Sequence, residues 1–333
     1  MEQENDVSID EAQFLYIDRL RSIGKSKQTV KAYRQGIKKY ITVLEDNGVD
    51  LQGSLEQLTV ESYDLFIRSL EELEYSTRNL YTTAVTNFIE YLVAMDYTEI
   101  ELIKIQMLKK TAKRKVSTEI PHFSKENIQK IVDYAHNLNT KQCENFEERL
   151  RNYRDRALII TLADTGLRIH EACNLLRKSI DFNEGKAIIT GKGNKQAVIR
   201  FTKRSLQSIR DYLNLRASLD GNLGKPLNSL PVFMRHDRPV GKKNISFQHL
   251  SMSTKTGREI VKLRVEECLG PEEVGNITPH SFRHYFVTVV LNASGNMRIT
   301  QELARHSNIS TTSRYAHLAN DELDKAFLDA LET

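Results

Sequence analysis

Residues 152–175 read NYRDRALIITLADTGLRIHEACNL. The apolar run from Ala157 to Ala163 predicts a long buried helix. Thr165-Gly166 breaks it, because glycine accepts the left-handed backbone on which helices commonly end. Leu167 and Arg168 then lead into a second helix start at IHEACNL. A helix, a glycine stop and an arginine delivered into the turn form the unit from which the rest is read.

Working outward, KAIITGKGNKQAVIRF (186–201) gives the clearest strand signal. Two β-rich runs flank a GKGNK turn, which predicts a hairpin carrying Lys192 and Lys195 near its tip. Upstream, FSKENIQKIVDYAHN opens a helix with Ser124 as cap; downstream, KTGREIVKLRVEECLG, PHSFRHYFVTVVLNAS, ITQELARH and DELDKAFLDALE are helical. Fifteen glycines and six prolines in 333 residues also favour helix over sheet. The fold class is therefore mainly α, with a small antiparallel sheet in the second half. No repeat or low-complexity tract occurs.

The first hundred residues read as short amphipathic helices. In KSKQTVKAYRQGIKKYITVLED, Val30, Tyr33, Ile37, Tyr40, Ile41 and Leu44 fall at helical spacing behind a Ser26 cap. Lys27, Lys31, Arg34 and Lys38 line the other side, with no acid from Lys25 through Lys39. Such a stripe suits a phosphate backbone, and serves equally as a solvated lysine face. In STRNLYTTAVTNFIEYLVAMDY, Ser76 is the expected cap and Leu80, Ala84, Val85, Phe88, Tyr91 and Leu92 the buried side. Arg78, Asn79, Thr82, Thr83 and Asn87 are expected outward, as side chains able to bond phosphates or base edges. Lys104, Lys109, Lys110, Lys113, Arg114 and Lys115 follow with no acid between Glu101 and Glu119. This shift, with Pro121 after it, marks a domain boundary: a first domain over 1–103, a basic linker over 104–119 that tracks a phosphate backbone, and a second domain over 120–333.

A length of 333 residues suffices for two such cores. Residues 1–117 carry a net charge of −3 and residues 118–333 one of +7, so an anionic partner is met chiefly by the second half. Cys143, Cys173 and Cys268 form no CxxC pair and no disulfide framework, which suits a reducing cytosol. The acidic N-terminus has no apolar core, so no signal peptide is expected, and no apolar run approaches bilayer length. A cytoplasmic, nucleoid-associated location without membrane contact is the expectation.

Four patches bear on chemistry: TGLRIHE (165–171), TGKGNK (190–195), TPHSFRH (278–284) and LARHSNISTTSRYAHL (303–318). Each alone is a common local pattern. Together and in this order they resemble the tyrosine recombinase, or phage integrase, family, over about residues 120–320. The resemblance implies Arg168 with supporting Glu171, Lys192 on the hairpin, His280 with Arg283, then His306, and Tyr315 as nucleophile nine residues later. It also implies a helical, SAM-like core-binding domain before a mixed α/β catalytic domain, with a C-terminal exchange helix at about 321–333. Phe327, Leu328 and Leu331 give that helix a small apolar face, for a neighbouring protomer or for its own core.

These residue types suit cutting a phosphodiester without metal or other cofactor. The phosphoryl group under attack gains negative charge, which positioned cations must hold. Arg168 and Arg283 are the expected clamp, since a guanidinium stays charged and bonds two oxygens at once. A phenol with an ordinary pKa near ~10 needs help to attack at neutral pH. His280 is the candidate base, His306 a phosphate ligand, and Lys192 the proton donor to the leaving oxygen, with Lys195 its rival. Glu171 is expected to orient the arginine and histidine side chains.

Two places depart from the family's pattern. Arg305 stands where glycine often precedes the later histidine, either contacting phosphate or reaching solvent. Ile169-His170 fills a gap where serine is often found, and His170 reads as a packed or surface residue.

The resemblance implies double-stranded DNA with short inverted sites as partner, a homo-tetramer on DNA, a Holliday-junction intermediate, and an accessory or directionality protein. Integration and excision of a mobile element is the expected role, with no room before the first helices for an arm-binding domain. Chromosome-dimer resolution is the alternative. A type IB topoisomerase shares the chemistry but fits the helical first half and short tail less well. A silent DNA-binding relative is disfavoured by the complete residue set.

Overall fold

The computed structural model describes residues 7–112, 124–190, 196–221, 224–236, 251–306, 308–313 and 315. The chain divides into two compact units, residues 1–117 and 118–333.

The first unit is built from α1 (Ile9–Ser22), α2 (Lys27–Asp46), α3 (Val60–Ser69), α4 (Tyr75–Ala94) and α5 (Leu102–Ala112). Ser8 and Glu11 cap α1 reciprocally, and the Ser26 hydroxyl accepts the Thr29 amide to start α2. α2 and α4 approach closely at Gly36, where a Cβ would lie 3.1 Å from both Tyr81 Cα and Ala84 Cβ. Two buried tyrosines satisfy their hydroxyls: Tyr40 with Ser62 and Tyr63 with Thr86, each at 2.8 Å.

Three expectations change here. α4 starts at Tyr75 behind Glu74, which makes no side-chain cap, so Ser76 lies inside the helix. On α4, Ala84, Val85, Phe88 and Leu92 are buried as expected, but Leu80 is exposed, whereas Thr82 and Thr86 are buried with hydroxyls donated to carbonyls four residues back. The stretch 104–119 is not wholly linker, because α5 occupies its first part and buries Ile105 against the first core. Leu102, Ile105, Leu108 and Ala112 share a face that the interspersed lysines obscure. Lys27, Lys31, Arg34, Lys38 and Lys110 are exposed, Arg78 and Lys109 half-buried, and Lys113, Arg114 and Lys115 fall outside the described residues.

The second unit centres on α7 (Phe146–Thr165), the helix of the opening stretch, which is exposed in its first turn and mostly buried from Leu150 onward. α6 (Lys125–His136), capped by Ser124, packs on one side. After α8 (Ile169–Cys173) come β1 (Ile180–Asp181), β2 (Lys186–Thr190) and β3 (Gln196–Arg200), an antiparallel sheet in that order. Ile188 pairs with Val198 on its exposed face, while Ala187, Ile189 and Ile199 point into the core. Then follow α9 (Lys203–Leu215), α10 (Ala217–Gly221), α11 (Thr254–Leu269), α12 (Pro279–Ser294), α13 (Met297–Ala304) and α14 (Ile309–Ser313). The hairpin tip with Lys192 and Lys195, and residues 321–333, lie outside the described residues.

Among the described residues, the charge buried around α7 sits in hydrogen-bonded sets. Asp155 accepts from Arg154 and, bidentately, from Arg264 of α11, whose guanidinium also bonds Asn152 at 2.7 Å. These bonds fix α7 against α11, and α7 ends where the chemistry-bearing turn begins. Among the described residues no helix is long and apolar enough to cross a membrane.

Gly166 ends α7 at φ +58°, and a Cβ there would meet the Phe286 ring at 2.4 Å. Gly166→Ala combines left-handed backbone strain with overpacking and is expected to cost about 2 kcal/mol or more. Denaturant unfolding measures it; a loss below about 0.5 kcal/mol would contradict this account of the turn.

Candidate active site

Three segments of the second unit meet at the C-terminal end of α7: the Gly166–Glu171 turn, the start of α12, and the loop from α13 to Tyr315. A helix C-terminus carries unpaired carbonyls and the negative end of its dipole, so it attracts cations. Arg283 of α12 donates to the Gly166 carbonyl at 2.6 Å and also to the Ala304 carbonyl. Arg305 donates to the same Gly166 carbonyl at 3.1 Å.

Glu171 is the counter-charge. Its carboxylate accepts the Arg168 amide and guanidinium, each at 2.9 Å, and Arg305 at 3.4 Å. Burial opposes ionisation of Glu171, but the Arg168 amide and the neighbouring guanidiniums hold its carboxyl below the usual range. Arg168 and Arg305 thus bond one carboxylate, and Arg283 lies beside them on the helix end. The Arg168 side chain is 39% exposed and reaches solvent. Arg283 is buried, and burial together with Arg168 and Arg305 pushes its guanidinium down to about 9. Such a cluster is short of negative charge.

The histidines flank it. His280 and His284, one turn apart on α12, stack edge to face with ring centroids 4.4 Å apart. The Tyr315 hydroxyl is hydrogen-bonded to His284 Nδ1. Tyr315 itself is 3% exposed, packed with Val287, Leu291 and Ala304. His306 Nδ1 lies 2.9 Å from Thr312 Oγ1, and the Tyr315 amide donates to the Thr312 carbonyl at 3.0 Å. Burial, then His280 and Arg283, push His284 down to about 4. Burial and the surrounding cations, Arg283 first, do the same for His306. His280 is exposed, and partial desolvation with Arg283 and Arg168 lowers it less.

Arg168, Glu171, Arg283, His306 and Tyr315 are thus brought together, with His280 at the rim. The sequence reading passed over His284, although its spacing of four from His280 placed both on one helix face. It left the direction of Arg305 open; the side chain turns inward. His170 is exposed beside the turn, a surface residue. Among the described residues no group of three His, Cys, Asp or Glu side chains is arranged to hold a metal ion.

Comparison with known proteins gives the family and the fold. The model of the phage integrase family matches residues 121–322, well over half of the chain. The chain belongs to the phage integrase family of tyrosine recombinases. It is thereby a site-specific DNA strand-transferring enzyme. It is 26% identical to the tyrosine recombinase XerC of Staphylococcus aureus (strain JH9) over 92% of this chain and 91% of the relative. XerC of Staphylococcus carnosus (strain TM300) is also 26% identical, over 95% of each. In fold, the chain is similar to the XerH site-specific recombinase bound to palindromic difH substrate, with TM-score 0.65 at 17% identity, covering 96% of this chain and 84% of that one. The Tn1549 transposon integrase in complex with transposon right end DNA gives TM-score 0.61 at 19% identity, covering 97% and 99%. A helical protein with a small antiparallel sheet is what those likenesses support.

His284 and His306, two of the histidines with lowered pKa, contribute a pH dependence. Each is neutral when folded and takes up a proton when unfolded below its ordinary pKa of ~6.5. The unfolded chain then binds more protons, so stability falls as pH drops from about 6.5 toward 4. Replacing His284 or His306 with Gln is expected to flatten that decline in thermal unfolding; an unchanged slope would show that the histidines titrate freely.

Proposed function

We propose that the chain cleaves and rejoins double-stranded DNA at a specific site, with Tyr315 attacking the scissile phosphate to give a 3′-phosphotyrosyl intermediate. The observation that carries this reading is the convergence of Arg168 and Arg305 on one carboxylate and of Arg283 and Arg305 on the adjoining helix end, beside a tyrosine hydrogen-bonded to a neutral histidine. An anion completes that cluster electrostatically, and a phosphoryl group in transition is such an anion.

Each group has an assigned task. Arg168 extends to solvent and bonds the non-bridging oxygens; Arg283 supplies charge behind it. Glu171 orients Arg168 through two bonds from the same residue. His306 ligates the phosphate. Tyr315 is held inward, so cleavage requires its segment to move out. His284 retains the phenol in the closed arrangement. His280, exposed one turn away and kept neutral by its surroundings, accepts the proton at the phosphate. Lys192, or Lys195 beside it, protonates the leaving 5′-oxygen. The phosphotyrosyl bond conserves the phosphodiester's energy, so rejoining by the reverse attack needs neither ATP nor metal.

For DNA contact beyond the cut, we propose the exposed stripe Lys27, Lys31, Arg34 and Lys38, with Arg78 and the basic run Lys109, Lys110, Lys113, Arg114 and Lys115. Four protomers hold two duplexes and exchange strands through a Holliday junction, linked by the segment at about 321–333. Integration and excision of a mobile element is the role we favour, and one structural neighbour is a transposon integrase. Identity to the XerC proteins stays at 26% along nearly the whole chain. That leaves the DNA-reading surface free to have diverged toward a different site.

One experiment tests the chemistry. Wild type incubated with sheared host DNA and then denatured is expected to retain DNA covalently, at one recurring sequence. Tyr315→Phe should retain none while binding DNA within about twofold of wild type; adduct formed by this variant would remove Tyr315 from the role. Sequences at the ends of a mobile element support integration, and a single chromosomal site points to dimer resolution. Arg168→Ala is expected to slow adduct formation by roughly 10²–10³-fold; an unimpaired rate would take it out of the clamp.

A further inference from the structure

Arg305 closes α13 with φ +59° and ψ +43°. That left-handed conformation suits glycine and costs an ordinary L residue about 1 kcal/mol or more. Its side chain is 9% exposed, although a long cationic chain on a loop normally reaches water. Burial and Arg168 disfavour its charge, against the pull of Glu171. Three unfavourable conditions are therefore borne at one residue.

Its guanidinium makes four contacts. Nη1 donates to the Thr165 carbonyl at 3.4 Å and the Leu303 carbonyl at 3.2 Å. Nη2 donates to the Gly166 carbonyl at 3.1 Å and to Glu171 Oε2 at 3.4 Å. The acceptors span the end of α7, the following turn, α8 and the end of α13. Both Nη groups are spent on protein oxygens and Nε is buried without a partner, so the guanidinium is turned away from a DNA ligand. Its backbone, however, directly precedes His306, and its fork grips both flanks of Arg168.

We propose that Arg305 is a positioning residue that ties the Arg168 turn to the His306 loop, so that arginine, histidine and carboxylate face one phosphate at fixed separation. The proposal rests on the DNA-transfer reading for its purpose, but the tie itself exists in the free protein. The left-handed backbone aims the side chain inward, and the fork supplies what one point charge cannot: simultaneous bonds to a carboxylate and to helix-end carbonyls. It is a feature of this sequence that the family resemblance does not supply.

The informative variant is Arg305→Gly, which relieves the backbone strain while deleting the tie. In hydrogen–deuterium exchange of the free, full-length protein, peptides spanning residues 164–173 are expected to exchange faster, although the substitution lies elsewhere in sequence. Unchanged exchange there overturns the tie. With sheared host DNA as probe, adduct formation should fall by roughly 10²-fold, with DNA retention on a native gel unaltered. Added guanidinium ion should restore part of the rate, and Arg305→Lys should recover less than the full rate. An Arg305→Gly enzyme as fast as wild type overturns the catalytic part whatever the exchange shows. If wild type forms no adduct at all, the DNA-transfer reading fails, and the exchange result alone decides the tie.

Discussion

The second unit depends on how the C-terminal end of one buried helix is neutralised. α7 ends at Gly166 with outward carbonyls and no chain to continue its hydrogen bonds. Arg283 and Arg305, from α12 and the end of α13, converge on that end, and Arg168 leaves from it. Three guanidiniums this close would repel one another strongly in a medium of reduced dielectric. The helix end and Glu171 offset part of that repulsion. What remains is a site that prefers an additional anion, and the proposed chemistry brings one.

The same constraint accounts for the histidines and the tyrosine. Burial, and after it the cationic surroundings that would attract a phosphate, disfavour imidazolium, so His284 and His306 stay neutral near physiological pH and keep lone pairs available. Tyr315 rests in a small apolar cluster with its hydroxyl on His284. In the proposed mechanism, a tyrosine kept inside until its segment moves does not meet water or stray phosphates. Attraction of the phosphate and restraint of the tyrosine thus arise from neighbouring parts of one arrangement.

Much of this was legible in the sequence. The apolar run of α7, its glycine stop, the hairpin strands and the Ser26 and Ser124 caps follow from local rules that burial does not override. The residues gathered at the site were visible because their motifs fall in a family's order. What was not legible depended on tertiary contact. α5 hides its apolar face among lysines, so composition suggested linker where Ile105 is core. On α4 the threonines Thr82 and Thr86 are buried because their hydroxyls return to the helix's own backbone, so its buried face is not made of apolar residues alone. The inward turn of Arg305 and the contact of His284 with Tyr315 are decided by backbone conformation and by residues far apart in sequence. No local pattern encodes either.

The most direct measurement identifies the atom that carries the DNA. After covalent capture on sheared host DNA, nuclease and protease digestion followed by mass spectrometry would locate the nucleotide-bearing peptide and the end of the nucleotide that is attached. The account predicts a nucleotide joined through its 3′-phosphate to Tyr315. A linkage through a 5′-phosphate, or to any other residue, would contradict it.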